Sequence, residues 1–246
     1  MYKVYAITDT GKKRTQNQDG FLVDGIHCEH SDHREIYYES DGETVHVALC
    51  DGVGSTEYAA YAVEKAQEYL CSHLRIAEEQ EIESRILAMN EYVYHSLQSS
   101  QRADGACTIA GVVMLQQTAY IYNIGDSSVF SINHGYLEKQ TTDDTLASLF
   151  GEQGWPEGEP SGKPPLLQSV GTHPVIELVH IKKEQNAAAF LLCTDGITDM
   201  LSLDEMEELL EAEKDWKTAA QRLVSEANQR GGYDNATVIL LVYEEE

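Results

Sequence analysis

The sequence predicts a mixed α/β fold with helices segregated outside packed sheets. Three observations carry that prediction. Short apolar runs bounded by Gly or Asp read as buried strands, and amphipathic stretches read as helices. Their order along the 246 residues is strands, two helices, strands, a Pro- and Gly-rich segment, a strand, helices and a strand.

The strand readings are 45–50 (VHVALC), 108–115 (TIAGVVML), 119–124 (AYIYNI), 188–193 (AAFLLC) and 237–243 (TVILLVY). All are short and rich in β-branched and aromatic residues. Asn133-His134-Gly135, between VFSI and YLEK, reads as a hairpin turn. The first helical stripe runs from Ser55 through Ala59, Val63, Ala66, Leu70 and Leu74, with Ser55 or Thr56 as N-cap. Ile82, Ile86, Met89, Val93 and Leu97 form the second. A third helix near 203–210 has Ser202 and Glu205 placed as a capping box, and a fourth, near 217–229, stops at Gly231-Gly232. Met89 and the tyrosines read as core or helix-packing surface. All five prolines fall between Pro156 and Pro174, in a Gly-rich stretch containing Trp155 that reads as a surface loop or flap. No repeat and no boundary divides the chain.

Composition narrows the function. An apolar fraction of 42% and a charged fraction of 24% suit an ordinary globular domain. No apolar run approaches the roughly 18 residues of a membrane span, and MYKVYAITDTGKKR lacks the apolar core of a secretory signal. The expected location is the cytoplasm. A net charge of −25, from 42 acidic against 17 basic residues, repels phosphate backbones and argues against nucleic-acid partners. Cys28, Cys50, Cys71, Cys107 and Cys193 show no CxxC spacing, and their odd number argues against a disulfide framework. Cys50 and Cys193 read as small buried hydrophobes.

The chemistry lies in aspartates placed where apolar strands stop. Asp51-Gly52 follows VHVALC, Asp195-Gly196 follows AAFLLC after one threonine, Gly125-Asp126 follows AYIYNI, and Asp234-Asn235 precedes TVILLVY. Asp19 follows Asn17 and Gln18 and precedes FLV. A carboxylate at a strand end is held by the sheet while its oxygens face a cleft, and a following Gly lets the backbone come close. Several such groups converging would repel one another unless cations lay between them. Oxygen-only ligands favour Mg²⁺ or Mn²⁺ over Zn²⁺. Singly, each Asp-Gly is an ordinary turn dipeptide.

As an ordered set they are specific. RTQNQD (14–19), ALCDGVG (48–54), GACTIAG (105–111), NIGDSSVF (123–130), LLCTDGITD (191–199) and GGYDNATVI (231–239) cover nearly the whole chain. The sequence resembles the type 2C (PPM) family of metal-dependent serine/threonine protein phosphatases, especially its compact bacterial members. The resemblance implies an α+β fold, a four-layer α-β-β-α sandwich of two antiparallel sheets flanked by helices. It implies one catalytic domain over residues 1–246, with a flap at about 143–172. Asp51, Asp195 and Asp234 would be metal ligands with the Gly52 carbonyl, Asp51 bridging two Mn²⁺ or Mg²⁺ ions. Asp19 would hold a metal-bound water or one metal, and Asp126 with Asp195 would take a third, weaker ion. A shared metal-bridging water or hydroxide would attack the phosphorus of a phosphoserine or phosphothreonine monoester. Arg14 would bind the phosphate.

Implied partners are phosphoproteins made by a serine/threonine kinase, and the implied state is a monomer. Gln18 stands where many members have glutamate, Val53 where some have a histidine proposed as general acid, and Ser128 replaces the usual arginine. Three other readings compete. One is a transition-metal site at His27, Cys28, His30, Asp32 and His33, against an exposed hairpin or loop there. Another is a catalytically silent phosphoprotein-binding relative on the same fold. The third, a metal-dependent phosphodiesterase or nuclease, conflicts with the negative charge and lacks a basic, aromatic-studded track.

Overall fold

A computed structural model describes residues 1–28, 31–54, 57–73, 75–148, 163–185 and 187–244. Two six-stranded antiparallel sheets dominate them. The first has the order β11-β10-β13-β14-β1-β4, from Tyr136–Lys139 (β11), Ser128–Asn133 (β10), Ala189–Cys193 (β13), Ala236–Tyr243 (β14), Tyr2–Asp9 (β1) and His33–Ser40 (β4). The second has the order β12-β9-β8-β5-β2-β3, from His180–Gln185 (β12), Thr118–Ile124 (β9), Ile109–Leu115 (β8), Thr44–Cys50 (β5), Gly20–Val23 (β2) and Ile26–His27 (β3). A small ribbon pairs Gly52–Val53 (β6) with Ala106–Cys107 (β7).

The central strands β8, β13 and β14 are almost wholly apolar because each is buried on both faces. Along β14, Ile239 and Leu241 enter the cluster between the sheets, with Phe190, Leu192, Phe21, Leu49 and Val112. Val238, Leu240 and Val242 point the other way, into a cluster with Leu223, Val224 and Met206. The helices Asp195–Thr198 (α3), Leu203–Ala212 (α4) and Trp216–Gln229 (α5) cover that outer face. Glu57–Ser72 (α1) and Gln80–Ser99 (α2) cover the second sheet through Val63, Leu70, Ile82, Ile86, Met89 and Val93. Four layers result, in the order expected. An antiparallel sheet covered on both sides loses the period-2 polarity that normally marks it, so its strands read as continuous apolar runs.

The capping box forms as expected: Ser202 accepts from the Glu205 amide while the Glu205 side chain accepts from the Ser202 amide. The hairpin turn also forms, His134 and Gly135 both having positive φ (53° and 87°) as a two-residue primed turn requires. The expected N-cap at Ser55 or Thr56, and Leu74, lie outside the described residues. So do residues 149–162, with Trp155, Pro156 and Pro160 of the Pro-rich segment. Met89 is buried and Tyr61 and Tyr69 of α1 pack against the same cluster, as expected of the helical stripes, whereas Tyr37, Tyr136 and Tyr233, outside the helices, are exposed.

Leu192 is fully buried between the sheets. Leu192→Ala is expected to lower unfolding stability by about 3 kcal/mol, through lost burial and a residual cavity. Urea unfolding followed by circular dichroism measures it.

Candidate active site

The strand ends deliver their aspartates to one end of the sandwich. Asp51 sits between β5 and β6, Asp126 in the turn between β9 and β10, Asp195 at the start of α3, Asp234 just before β14, and Asp19 just before β2. Two glycines allow the approach. A Cβ on Gly196 would lie 1.9 Å from the Asn235 carbonyl oxygen, so only glycine lets α3 start against the segment carrying Asp234. Gly125 has φ of 98°, and its Cβ would lie 2.7 Å from Thr108 Cγ2.

Asp19 is the most firmly held. Its Oδ2 accepts from Thr194 Oγ1 at 2.9 Å and from Thr237 Oγ1 at 2.8 Å. Thr237 Oγ1 is also 2.8 Å from Thr8 Oγ1, to which Asn17 Nδ2 donates. The Asp19 amide donates to Asn17 Oδ1, and the Gln18 amide to Asn235 Oδ1. Asp51 is fixed through its backbone: its amide donates to Thr108 Oγ1, and its carbonyl accepts from the Thr108 amide. Thr108 Oγ1 lies 2.6 Å from Ser127 Oγ, linking the Asp51 strand end to the turn bearing Asp126. That turn is anchored by Asp144, whose Oδ2 accepts from the Gly125 amide and whose Oδ1 lies 2.7 Å from His180 Nε2.

The carboxylates act on one another. Burial, opposed by its threonine bonds and reinforced by Asp195 and Asp234, pushes the Asp19 carboxyl up to about 7. Burial, then Asp19, Asp195, Asp234 and Asp126, raise Asp51 well above the usual carboxylate range. Burial and Asp195 push Asp126 up to about 6. Among the described residues, the counter-charges come from two side chains. Arg14 Nη2 donates to Asp234 Oδ2 at 2.7 Å, and Lys163 Nζ lies 2.6 Å from Asp195 Oδ2 and also pairs with Asp199.

Among the described residues, no three His, Cys, Asp or Glu side chains close on a common point as a preformed ligand set. Asp234 and Asp195 are turned onto Arg14 and Lys163 instead. The donor set nevertheless fits a hard divalent cation. Every side-chain donor is a carboxylate oxygen, the groups repel one another, and Asp19 Oδ1 and Asp195 Oδ1 are buried without a hydrogen-bond partner. Gly52 lies beside them in β6.

Of the residues singled out by sequence, Arg14, Asp19, Asp51, Asp126, Asp195 and Asp234 thus share one neighbourhood. Val53 pairs with Ala106 in the ribbon, and Ser128 is buried at the start of β10. The His27–His33 group is dispersed. His27 Nδ1 lies 3.3 Å from Cys71 Sγ, whereas His33 sits between Asp9 and Glu35 on the other sheet. Cys28 is buried, and His30 lies outside the described residues. Sequence reading missed Thr8, Thr194, Thr237, Asn17, Asn235, Asp199 and Lys163. The threonines left one signal, a hydroxyl inside or beside an apolar strand.

A family model described as protein phosphatase 2C matches residues 21–236. The chain is 28% identical over 242 residues to the serine/threonine phosphatase stp of Listeria monocytogenes, covering 95% of this chain and 93% of that one. It is 26% identical to the protein phosphatase PhpP of Streptococcus pneumoniae, covering 99% and 98%. The solved S. agalactiae serine/threonine phosphatase superposes with a TM-score of 0.82 at 25% identity, over 99% of this chain and 100% of that one.

A carboxyl whose folded pKa is raised costs stability as pH climbs from its unfolded value to its folded one, so through Asp19 and Asp126 the cation-free chain should be destabilised progressively from about pH 4 to about pH 7. With chelator present, Asp51→Asn is expected to raise unfolding stability by about 1–2 kcal/mol, the scale of one removed charge repulsion. Urea midpoints of the two proteins, compared at equal ionic strength, measure this; a lower midpoint for the variant would refute the repulsion.

Proposed function

The chain belongs to the protein phosphatase 2C family, and from that premise we propose that it hydrolyses phosphoserine and phosphothreonine monoesters in proteins with divalent cations held by Asp51, Asp195 and Asp234. One observation carries the proposal: carboxylates from five distant stretches of chain gather at one end of the sandwich, where burial and the neighbouring carboxylates raise the pKa of Asp19, Asp51 and Asp126. A structural role would not need so costly a concentration of like charge.

Asp51, Asp195 and Asp234, with the Gly52 carbonyl, would bind the core ions, Asp19 would complete that shell, and Asp126 would serve a weaker position beside Asp195. Mn²⁺ or Mg²⁺ bound there supplies a lowered pKa for water and neutralisation of charge on the phosphoryl group. The remaining work falls to the chain. Thr194 and Thr237 hold one oxygen of Asp19 by hydrogen bonds and leave Oδ1 open. Thr108 keeps Asp51 in register with the Asp126 turn. Arg14, whose guanidinium already lies among Asp234, Asp51 and Asp195, would grip two phosphoryl oxygens and orient the ester for in-line displacement. No phospho-enzyme is expected, because water is the nucleophile of the proposed reaction; Cys50, Cys107 and Cys193 are buried thiols.

The substrates would be phosphoproteins made by a serine/threonine kinase. The working unit would be a monomer with one catalytic domain over 1–246, a flap at about 143–172 and a cytoplasmic location. No described helix is long and apolar enough to cross a membrane.

Hydrolysis of a phosphothreonine peptide should require Mn²⁺ or Mg²⁺ and stop with chelator, and Asp195→Asn should lower kcat at least about 100-fold. Full turnover by the stripped protein would eliminate the proposed chemistry. Arg14→Ala is expected to raise KM for the phosphopeptide about tenfold or more while Mn²⁺ binding persists. Loss of bound Mn²⁺ with that change, measured by equilibrium dialysis, would show the arginine to be part of the ion site instead.

A further inference from the structure

The two side-chain cations at the site divide it unequally. Arg14 bonds one carboxylate, Asp234. Lys163 bonds two, Asp195 and Asp199, and its charge also reaches Asp126. Asp199 lies one helical turn after Asp195, its amide donating to the Asp195 carbonyl at 2.8 Å, so both carboxylates face the same ammonium. Asp51 and Asp126 have no cationic side chain within ion-pair distance among the described residues.

We infer that Lys163 is a tethered cation of the acidic site, holding the side formed by Asp126, Asp195 and Asp199 and thereby keeping a third divalent ion there weakly bound. The inference rests on the metal-dependent reading above. Its reason is charge balance. Asp19, Asp51, Asp126, Asp195, Asp199 and Asp234 set against Arg14 and Lys163 leave four negative charges, which two divalent ions neutralise. A third ion on the Asp126 side would have to displace the ammonium from two carboxylates and then lie against its charge. Lys163 is suited to such a place because an ammonium is a compact point charge on a flexible stem, free to follow Asp195 and Asp199 together. Removing it leaves one charge uncompensated beside Asp126 and opens that place to a further ion.

The test is equilibrium binding of Mn²⁺ to the full chain, stripped with chelator and dialysed, with free Mn²⁺ read by electron paramagnetic resonance. The wild type and K163R are expected to fill two positions first and a third only in large excess of Mn²⁺. K163Q should take up a further ion at least about tenfold more tightly than the wild type does, as expected for removal of one nearby, partly solvated positive charge. Identical isotherms for the wild type and K163Q overturn the inference alone, and so does a raised KM for phosphopeptide in K163Q with an unchanged isotherm, which would make Lys163 a substrate contact. Absence of Mn²⁺ binding in all three proteins overturns the metal-dependent reading and this inference with it. The Lys163 side chain is 53% exposed, so K163Q should fold. A measurement on the wild type stands independently of that: acetylation of Lys163 by an amine-reactive ester, read by mass spectrometry, should be slow at two equivalents of Mn²⁺ and accelerate only in large excess. Labelling that ignores Mn²⁺ overturns the inference.

Discussion

Repulsion among carboxylates at one end of the sandwich is the constraint on which the rest of this end depends. Like charges this close raise one another's pKa and would spread apart in a pliable scaffold. Here they cannot spread, because each is attached to a strand end or helix start that the packed core holds. Asp19 shows how the strain is borne. Hydroxyls from Thr194 and Thr237 satisfy one oxygen, and Thr8 and Asn17 extend the same chain of bonds into β1. A fully buried threonine in an otherwise apolar strand is costly unless its hydroxyl is bonded. In this protein the carboxylate is the partner that makes those threonines tolerable, and they in turn fix the carboxylate.

The second sheet performs the same task by another route. Asp51 is positioned through its peptide group, which exchanges two hydrogen bonds with Thr108, while its side chain stays available. Thr108 also meets Ser127, so the end of β5 and the turn after β9 move as one unit. Asp144 and His180 brace that turn from behind through the Gly125 amide. The two sheets are tied together at the site, since Asp19, just before β2, is held by Thr194 and Thr237 from the other sheet, and the interior between them, built from residues such as Leu49, Val112, Leu192 and Ile239, sets the spacing of their ends.

Much of this was legible in the sequence, and the limits have physical causes. Strands such as β8 and β14 announced themselves because both faces are buried and the whole run is apolar. The strands β1 and β4 did not. In β1 Lys3, Tyr5 and Asp9 are only partly buried, and β4 is an edge strand with no fully buried residue. The short helix α3 was invisible because four residues leave no periodicity, yet it carries Asp195. The aspartates could be found because a carboxylate at the end of an apolar run is locally out of place. Lys163 could not, since a lysine in a Pro- and Gly-rich stretch looks solvated until the fold brings it against Asp195 and Asp199. The histidines between His27 and His33 mislead for the opposite reason. They are neighbours in sequence, but β3 and β4 belong to different sheets.

The overall charge makes the arginine more informative than its sequence position suggests. A phosphoryl dianion approaching a chain of net charge −25 meets repulsion unless cations reverse the local sign. In the structure, Arg14 is committed to Asp234, a group assigned to an ion on the proposed reading. An ion taken up by Asp234 competes with the guanidinium for the same oxygen, and the pair cannot both be served at full strength. On the proposed reading, loading the site would do two things for phosphate binding: it would cancel the negative field and release the guanidinium proposed to grip phosphate. On this reading ion binding and substrate binding are linked through one carboxylate, and linkage is reciprocal: whatever Arg14 gains on the phosphate, the ion gains on Asp234.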